Sequence, residues 1–216
     1  GVQTCALPIL AIRQKDLPLA KEHLTRALEK WPTSPRANIA MGALLLLQGE
    51  EEEVLERWEG VAKETPDYLP LVIGQIADLL YKRGERIEAV KLLHSALASS
   101  TQTDVIQASI NRLAQWEGQE VVLTKVVELL KKSPSLSTFA QMIALRQEGT
   151  PQDEESKLLL TLLEKQARKE SRYQCAKCGF MASGFSWHCL GCGSWDSFPP
   201  YRVTDPKKQK VYENIM

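Results

Sequence analysis

Apolar residues recur every three or four positions along most of the chain, the spacing of helices that each bury one face. These segments are punctuated at a fixed interval. Gly49, Gly84 and Gly118 are separated by 35 and 34 residues, and Pro32 and Pro66 by 34. A period of about 34 residues, with glycine inside a helix pair and proline after its second helix, predicts tetratricopeptide-like repeats. Residue size keeps the same register. Gly42, Leu45, Val54, Trp58, Val61 and Pro66 alternate small and large in one unit, and Ala77, Leu80, Ala89, Leu93 and Ala96 do so in the next. Ala20, Leu24, Ala27 and Pro32 read as the second half of a preceding repeat. Small residues let paired helices approach, and large ones fill the groove between them.

The third unit is looser. Residues 104–117 and 120–132 keep helical spacing around Gly118 through Ile106, Ile110, Leu113, Val122, Val126, Leu129 and Leu130. After Pro134 come Leu136 to Gln147, Gly149 and a last helix from about Pro151 to Ser171. Thr150, Pro151 and Asp153 suit its N-cap, N1 and N3 positions. Leu158, Leu159, Leu162, Leu163 and Ala167 are expected to form its buried stripe. Glu154 and Glu155 at one end, with Arg168, Lys169 and Arg172 at the other, complement the helix dipole. The expectation is an all-α tetratricopeptide-like helical solenoid over residues 10–171, with a shorter pair around Gly149 and any strand confined to residues after about 172. Such arrays hold protein partners on a concave surface. Arg36, Asp78, Tyr81 and Asn111 fall on positions facing it, but none is a site by itself, and the partner-binding residues stay unknown. Glu50 to Glu53 reads as a solvated helix start.

Where the periodicity ends, Cys175-Ala-Lys-Cys178-Gly and Cys189-Leu-Gly-Cys192-Gly follow, with ten residues between Cys178 and Cys189. A C-x2-C turn brings two thiolates to one tetrahedral ion, and a second turn closes an S4 shell. Gly179 and Gly193 can adopt the positive φ that turns backbone N–H groups toward the sulfurs. Cys175, Cys178, Cys189 and Cys192 are therefore the expected metal ligands, for one iron or zinc ion, since both metals accept tetrahedral thiolate. Tyr173, Phe180, Phe185, Trp187, Trp195 and Phe198 crowd the same stretch, which is too short for an ordinary core. The metal would stabilise it. With four thiolates present, His188 is expected to pack or hydrogen-bond rather than ligate. Ser171 to Gln174 is too short for a flexible tether, so the module should dock on the terminal helices, burying Trp187 or Trp195 against them.

Composition narrows the function. Twenty-seven Lys and Arg balance 27 Asp and Glu, so no global charge draws the chain to nucleic acid or an anionic membrane. Only Cys5 lies outside the knuckles, against a secreted disulfide framework. The apolar run from Ile39 to Leu47 falls short of a bilayer span. No nucleophile–base constellation, phosphate loop or open metal site gives catalysis a foothold.

Tetratricopeptide-like repeats followed by Tyr173-x-Cys-x-x-Cys-Gly-Phe180 and Trp187-His-Cys-x-x-Cys-x-x-Trp195 resemble the lipopolysaccharide assembly protein B family of Gram-negative bacteria. The resemblance implies an N-terminal membrane anchor, cytoplasmic repeats and a C-terminal rubredoxin-type module carrying the same four cysteine ligands. It further implies an adaptor between a membrane-bound ATP-dependent protease and the deacetylase committing precursors to lipid A, at the cytoplasmic face of the inner membrane. Other lipopolysaccharide synthesis or transport proteins are further expected partners. The anchor is expected before this sequence, leaving the fragment soluble. Residues 1–9 resemble a translated sequencing-library adapter, so Cys5 is read as non-biological and the chain as the C-terminal part of a longer protein. The module is assigned to 172–203 and a tail to 204–216. A rubredoxin-like electron carrier or redox sensor is the alternative, although Leu190 replaces a frequent knuckle proline and the inter-knuckle segment is short. A nucleic-acid-binding zinc ribbon would rest on Lys207, Lys208 and Lys210, against the neutral charge balance.

Overall fold

A computed structural model describes residues 16–147 and 153–206. The chain divides into two compact units, the boundary falling between Ala89 and Val90.

The first unit opens with α1 (Leu17–Lys30), whose N-cap Asp16 accepts the Leu19 N–H at 3.1 Å. Its Ala20, Leu24 and Ala27 are buried, as the spacing predicts. Helix α2 (Pro35–Gln48) starts at the Ser34 cap with proline at N1 and stops at Gly49, where φ is 82°. There the Glu50 N–H reaches back to the Leu45 carbonyl. Three glutamates occupy the first turn of α3 (Glu51–Glu64). Packing between α2 and α3 centres on Gly42, which lies under the indole of the buried Trp58. After α3, Pro66 begins a 3-10 turn, Pro66–Leu71, leading into α4 (Ile73–Lys82). Gly84 repeats the Gly49 geometry, with φ of 89° and a bond from the Glu85 N–H to the Leu80 carbonyl. One closure thus recurs 35 residues on, and it is the helix-pair turn the glycine spacing predicts.

Helix α5 (Arg86–Ser99) runs across the boundary. The second unit continues with α6 (Thr103–Glu117) and α7 (Gln119–Lys132). Gly118 alone separates them, with φ of 94° and an extended ψ of 157°, a tighter turn than the two before it. Helix α8 (Leu136–Gln147) packs on α6 and α7. Helix α9 (Glu154–Glu170) packs on α8. A two-residue antiparallel hairpin, β1 (Tyr173–Gln174) with β2 (Met181–Ala182), closes the order. Among the described residues no other strand pair forms, so the fold is helical and tetratricopeptide-like with a small C-terminal cysteine module.

Two expectations about α9 need correction. Its N-cap is Asp153, whose carboxylate accepts the Ser156 N–H at 2.7 Å, rather than Thr150. Thr150, Pro151 and the turn at Gly149 lie outside the described residues. Only Ala167 of the expected stripe is buried, Leu163 is half-buried, and Leu158, Leu159 and Leu162 are exposed. Among the described helices α9 packs chiefly along α8, and the apolar residues Leu158, Leu159 and Leu162 of its first half stay exposed.

Candidate metal centre

The two knuckles are built alike, 14 residues apart. In each, the first cysteine's N–H donates to a carbonyl five residues on, Cys175 to Phe180 and Cys189 to Ser194, at 2.9 and 2.8 Å. Its carbonyl accepts the glycine N–H four residues on, Gly179 and Gly193, at 2.9 Å each. Both glycines have positive φ, 76° and 69°. The flanking chain pairs antiparallel in both, Gln174 with Met181 and His188 with Trp195. The paired CxxCG motifs carry this internal repeat in the sequence, at a period much shorter than that of the helix pairs.

The four sulfurs lie within 4.8 Å of one another. Cys175 and Cys192 Sγ are 3.9 Å apart, and Cys178 and Cys189 Sγ 3.7 Å. Four sulfurs bonded at about 2.3 Å to one tetrahedral ion would be about 3.8 Å apart, so these separations fit S4 ligation. The surroundings favour the thiolate at Cys175 and Cys192. Burial pushes the Cys175 thiol up, but bonds from the Ser197 hydroxyl, the Cys178 and Lys177 N–H groups and Cys189 bring it down to about 6. Hydroxyl and backbone bonds from Ser194 lower Cys192. At Cys178 the Phe180 N–H pulls down, yet desolvation and the three neighbouring sulfurs push it up to about 12. Hydrogen bonding to the three neighbouring sulfurs holds that proton on Cys178, and a bound cation would displace it. Cys175 and Cys189 are buried whereas Cys178 and Cys192 are exposed, leaving one edge of the cluster open to solvent.

The cluster joins a small core of Tyr173, Cys175, Cys189 and Phe198, with Ala182 and Phe185 against it. His188 packs on Trp195, ring centroids 4.9 Å apart, in keeping with a packing role. Trp187 meets Phe185 edge-on at 4.8 Å. Both tryptophans are only half-buried, so the expected burial of one against the helices is not reached.

The module instead docks through polar groups at the start of α6. Arg202 Nε donates to both Asp104 carboxylate oxygens at 3.0 and 2.9 Å, and its Nη2 to Oδ1 at 2.7 Å. The Tyr173 hydroxyl donates to the same carboxylate, and the Arg202 guanidinium lies 5.0 Å from the Tyr173 ring centroid. Asp205, buried, accepts the Thr103 N–H at 2.9 Å and the Arg202 N–H at 2.8 Å, and also bonds the Thr103 hydroxyl. It therefore caps α6, whose own N-cap Gln102 makes no side-chain cap bond. Two carboxylates at a helix N-terminus suit its dipole. Burial, then the Asp104 charge and hydrogen bond, drives Tyr173 above the usual phenol range. Burial alone would lower the Arg202 guanidinium, and Asp104 more than reverses it. Nothing in sequence flags these residues, because the partners are 69 to 102 positions apart.

The surface residues named from repeat geometry separate. Arg36 is buried within α2, while Asp78 is exposed. Tyr81 lies under the Arg86 guanidinium at 4.9 Å, and Asn111 accepts the Gln141 amide at 2.6 Å.

The fold and the cluster define a class, a helical-repeat protein carrying a four-cysteine metal-binding module. Residues 173–200 match the family described as rubredoxin metal binding domain. Over 204 residues the chain is 22% identical to Lipopolysaccharide assembly protein B of Escherichia coli (strain K12), covering 93% of this chain and 52% of that protein. The Haemophilus influenzae protein of the same name is 24% identical over 182 residues, covering 82% of this chain and 46% of that protein. The chain thus spans about half the length of the curated relatives it matches. Among solved structures, Pseudomonas aeruginosa PilF covers 76% of this chain and 85% of its own, with a TM-score of 0.45 and 16% identity. YrrB, a TPR protein with an unusual peptide-binding site, covers 78% of this chain and 87% of its own, at 0.45 and 14%. No described helix is long and apolar enough to cross a membrane.

Proposed function

We propose that this protein is a non-enzymatic adaptor that restrains lipopolysaccharide synthesis, presenting the deacetylase of the committed lipid A step to a membrane-bound ATP-dependent protease. The observation that carries the reading is similarity to Lipopolysaccharide assembly protein B running through both parts, helices and cysteine module, over 93% of the chain. Paired helices supply partner-binding surface. Cys175, Cys178, Cys189 and Cys192 hold one iron or zinc ion, which supplies folding energy to a module with little core of its own. The adaptor works at the cytoplasmic face of the inner membrane, through an anchor of the kind the family resemblance implies.

The test is deacetylase lifetime in the native bacterium after translation is blocked. Depleting the adaptor should lengthen it several-fold, and a Cys178→Ser allele should not restore it. An unchanged lifetime on depletion would overturn the proposal. One observation favours a second reading, redox work at the metal: Cys178 and Cys192 are exposed, so an iron ion there would lie close to an approaching electron donor. Reversible reduction coupled to a partner, with deacetylase turnover unaffected, would support that reading instead.

A further inference from the structure

Residues 158, 162, 165, 169 and 172 are spaced by four, three, four and three positions, so they share one face at and just beyond α9. Along it Leu158 and Leu162 give way to Lys165, Lys169 and Arg172. The leucines are 59% and 54% exposed. The basic half forms a wall of a groove of about 680 Å³, with Thr161 and Arg168 beside it and Met181 and Ser183, of β2 and the residue after it, opposite. Arg168 is engaged by Glu164 at 3.0 Å. Among the described residues no carboxylate pairs with Lys165, Lys169 or Arg172.

We propose that this groove is a docking site for an acidic peptide segment carrying apolar side chains, contributed by a protein partner. Charge complementarity sets the sign of the ligand: three cations without a carboxylate partner among the described residues and one shared cation line one groove. Its volume is that of a ligand-binding cleft, about 300–1,000 Å³. Lysine and arginine stems with Met181 give it apolar walls, so a side chain can lie between carboxylates held at the rim. Leu158 and Leu162 extend the apolar contact along the same helix face. A flat lipid surface would meet protruding groups, not a concavity between helix and hairpin. A nucleic-acid strand would want aromatic platforms, which the lining lacks. The site deepens the adaptor reading and rests on it only in requiring a protein partner.

Fluorescence anisotropy of the intact, metal-loaded chain with a labelled twelve-residue peptide of alternating Glu and Leu tests the proposal. Saturable binding is expected, weakened by added salt. Lys165→Ala with Lys169→Ala should raise Kd about tenfold, the combined effect of two rim charges. Leu158→Ala with Leu162→Ala should weaken binding at high salt as well. Lys131→Ala with Lys132→Ala, the same charge loss on α7, should leave Kd unchanged. Helical circular dichroism and metal content verify that each variant is folded. Equal Kd values for wild type and the Lys165/Lys169 variant, or equal losses in both lysine pairs, would overturn the site. So would binding to phosphatidylglycerol vesicles without binding to the peptide. If peptide binding fails while deacetylase lifetime still depends on the protein, this site falls and the adaptor reading stands.

Discussion

Replacing Arg202 with alanine removes three N–H···O contacts of 2.7–3.0 Å to Asp104, along with the cation over the Tyr173 ring. The Arg202 and Asp104 side chains are 17% and 21% exposed, so the pair is mostly withdrawn from water. An exposed pair would contribute roughly 0.2–1 kcal/mol, and breaking a buried one would cost about 3–5 kcal/mol. This pair falls between, at about 2–3 kcal/mol for the single variant, because water can reach the orphaned carboxylate and Tyr173 still donates to it. Loss of the ring contact contaminates that figure, so the informative quantity is the coupling in a cycle with Asp104→Ala. It should be about 1.5–2 kcal/mol, within the range for contacting residues. The readout is transfer of metal to a chromophoric chelator, alongside denaturant unfolding. If docking holds the module closed, Arg202→Ala should release metal about thirtyfold faster, the factor equivalent to about 2 kcal/mol. Release at the wild-type rate, or single effects that add with no coupling, would show that the module folds as an independent bead and refute the docking argument.

Other outcomes follow from separate contacts. A Cβ at Gly42 would lie 2.2 Å from the Trp58 indole nitrogen, and Trp58 is buried, so Gly42→Ala should cost about 2–3 kcal/mol by overpacking; a change under about 0.5 kcal/mol in urea unfolding would show that the helix pair yields freely. Cys178→Ser should abolish metal binding and module structure while keeping most helical circular dichroism, checked by elemental analysis and far-ultraviolet spectra. Because Tyr173 is raised in the folded state, its contribution is fully present below the unfolded phenol pKa of about 10 and is lost as pH rises through the higher folded value. Wild-type stability should therefore fall above pH 10 more steeply than that of Tyr173→Phe, followed by chelator release, and identical profiles would sink the assignment.

What could be read from sequence was what repeats locally. The glycine turns emerged because a positive φ at a helix end demands that residue, and Gly49, Gly84 and Gly118 all adopt one. The cysteine cluster emerged because ligand spacing is a local property of each knuckle. The α9 stripe failed because helical periodicity says which face is apolar and not whether a neighbour covers it, and Leu158, Leu159 and Leu162 have stayed exposed. The docking contacts were invisible for another reason. Asp104, Arg202 and Asp205 look like ordinary surface charges, and only the fold brings residues so far apart in sequence to one helix start.

The central claim, that the two knuckles form one closed metal site integral to the second unit, meets its most direct test in metal analysis with X-ray absorption of the purified chain. One iron or zinc ion per chain, with four sulfur neighbours at about 2.3 Å, is the expected result. Substoichiometric metal after anaerobic purification, or a first shell containing nitrogen or oxygen donors, would contradict it.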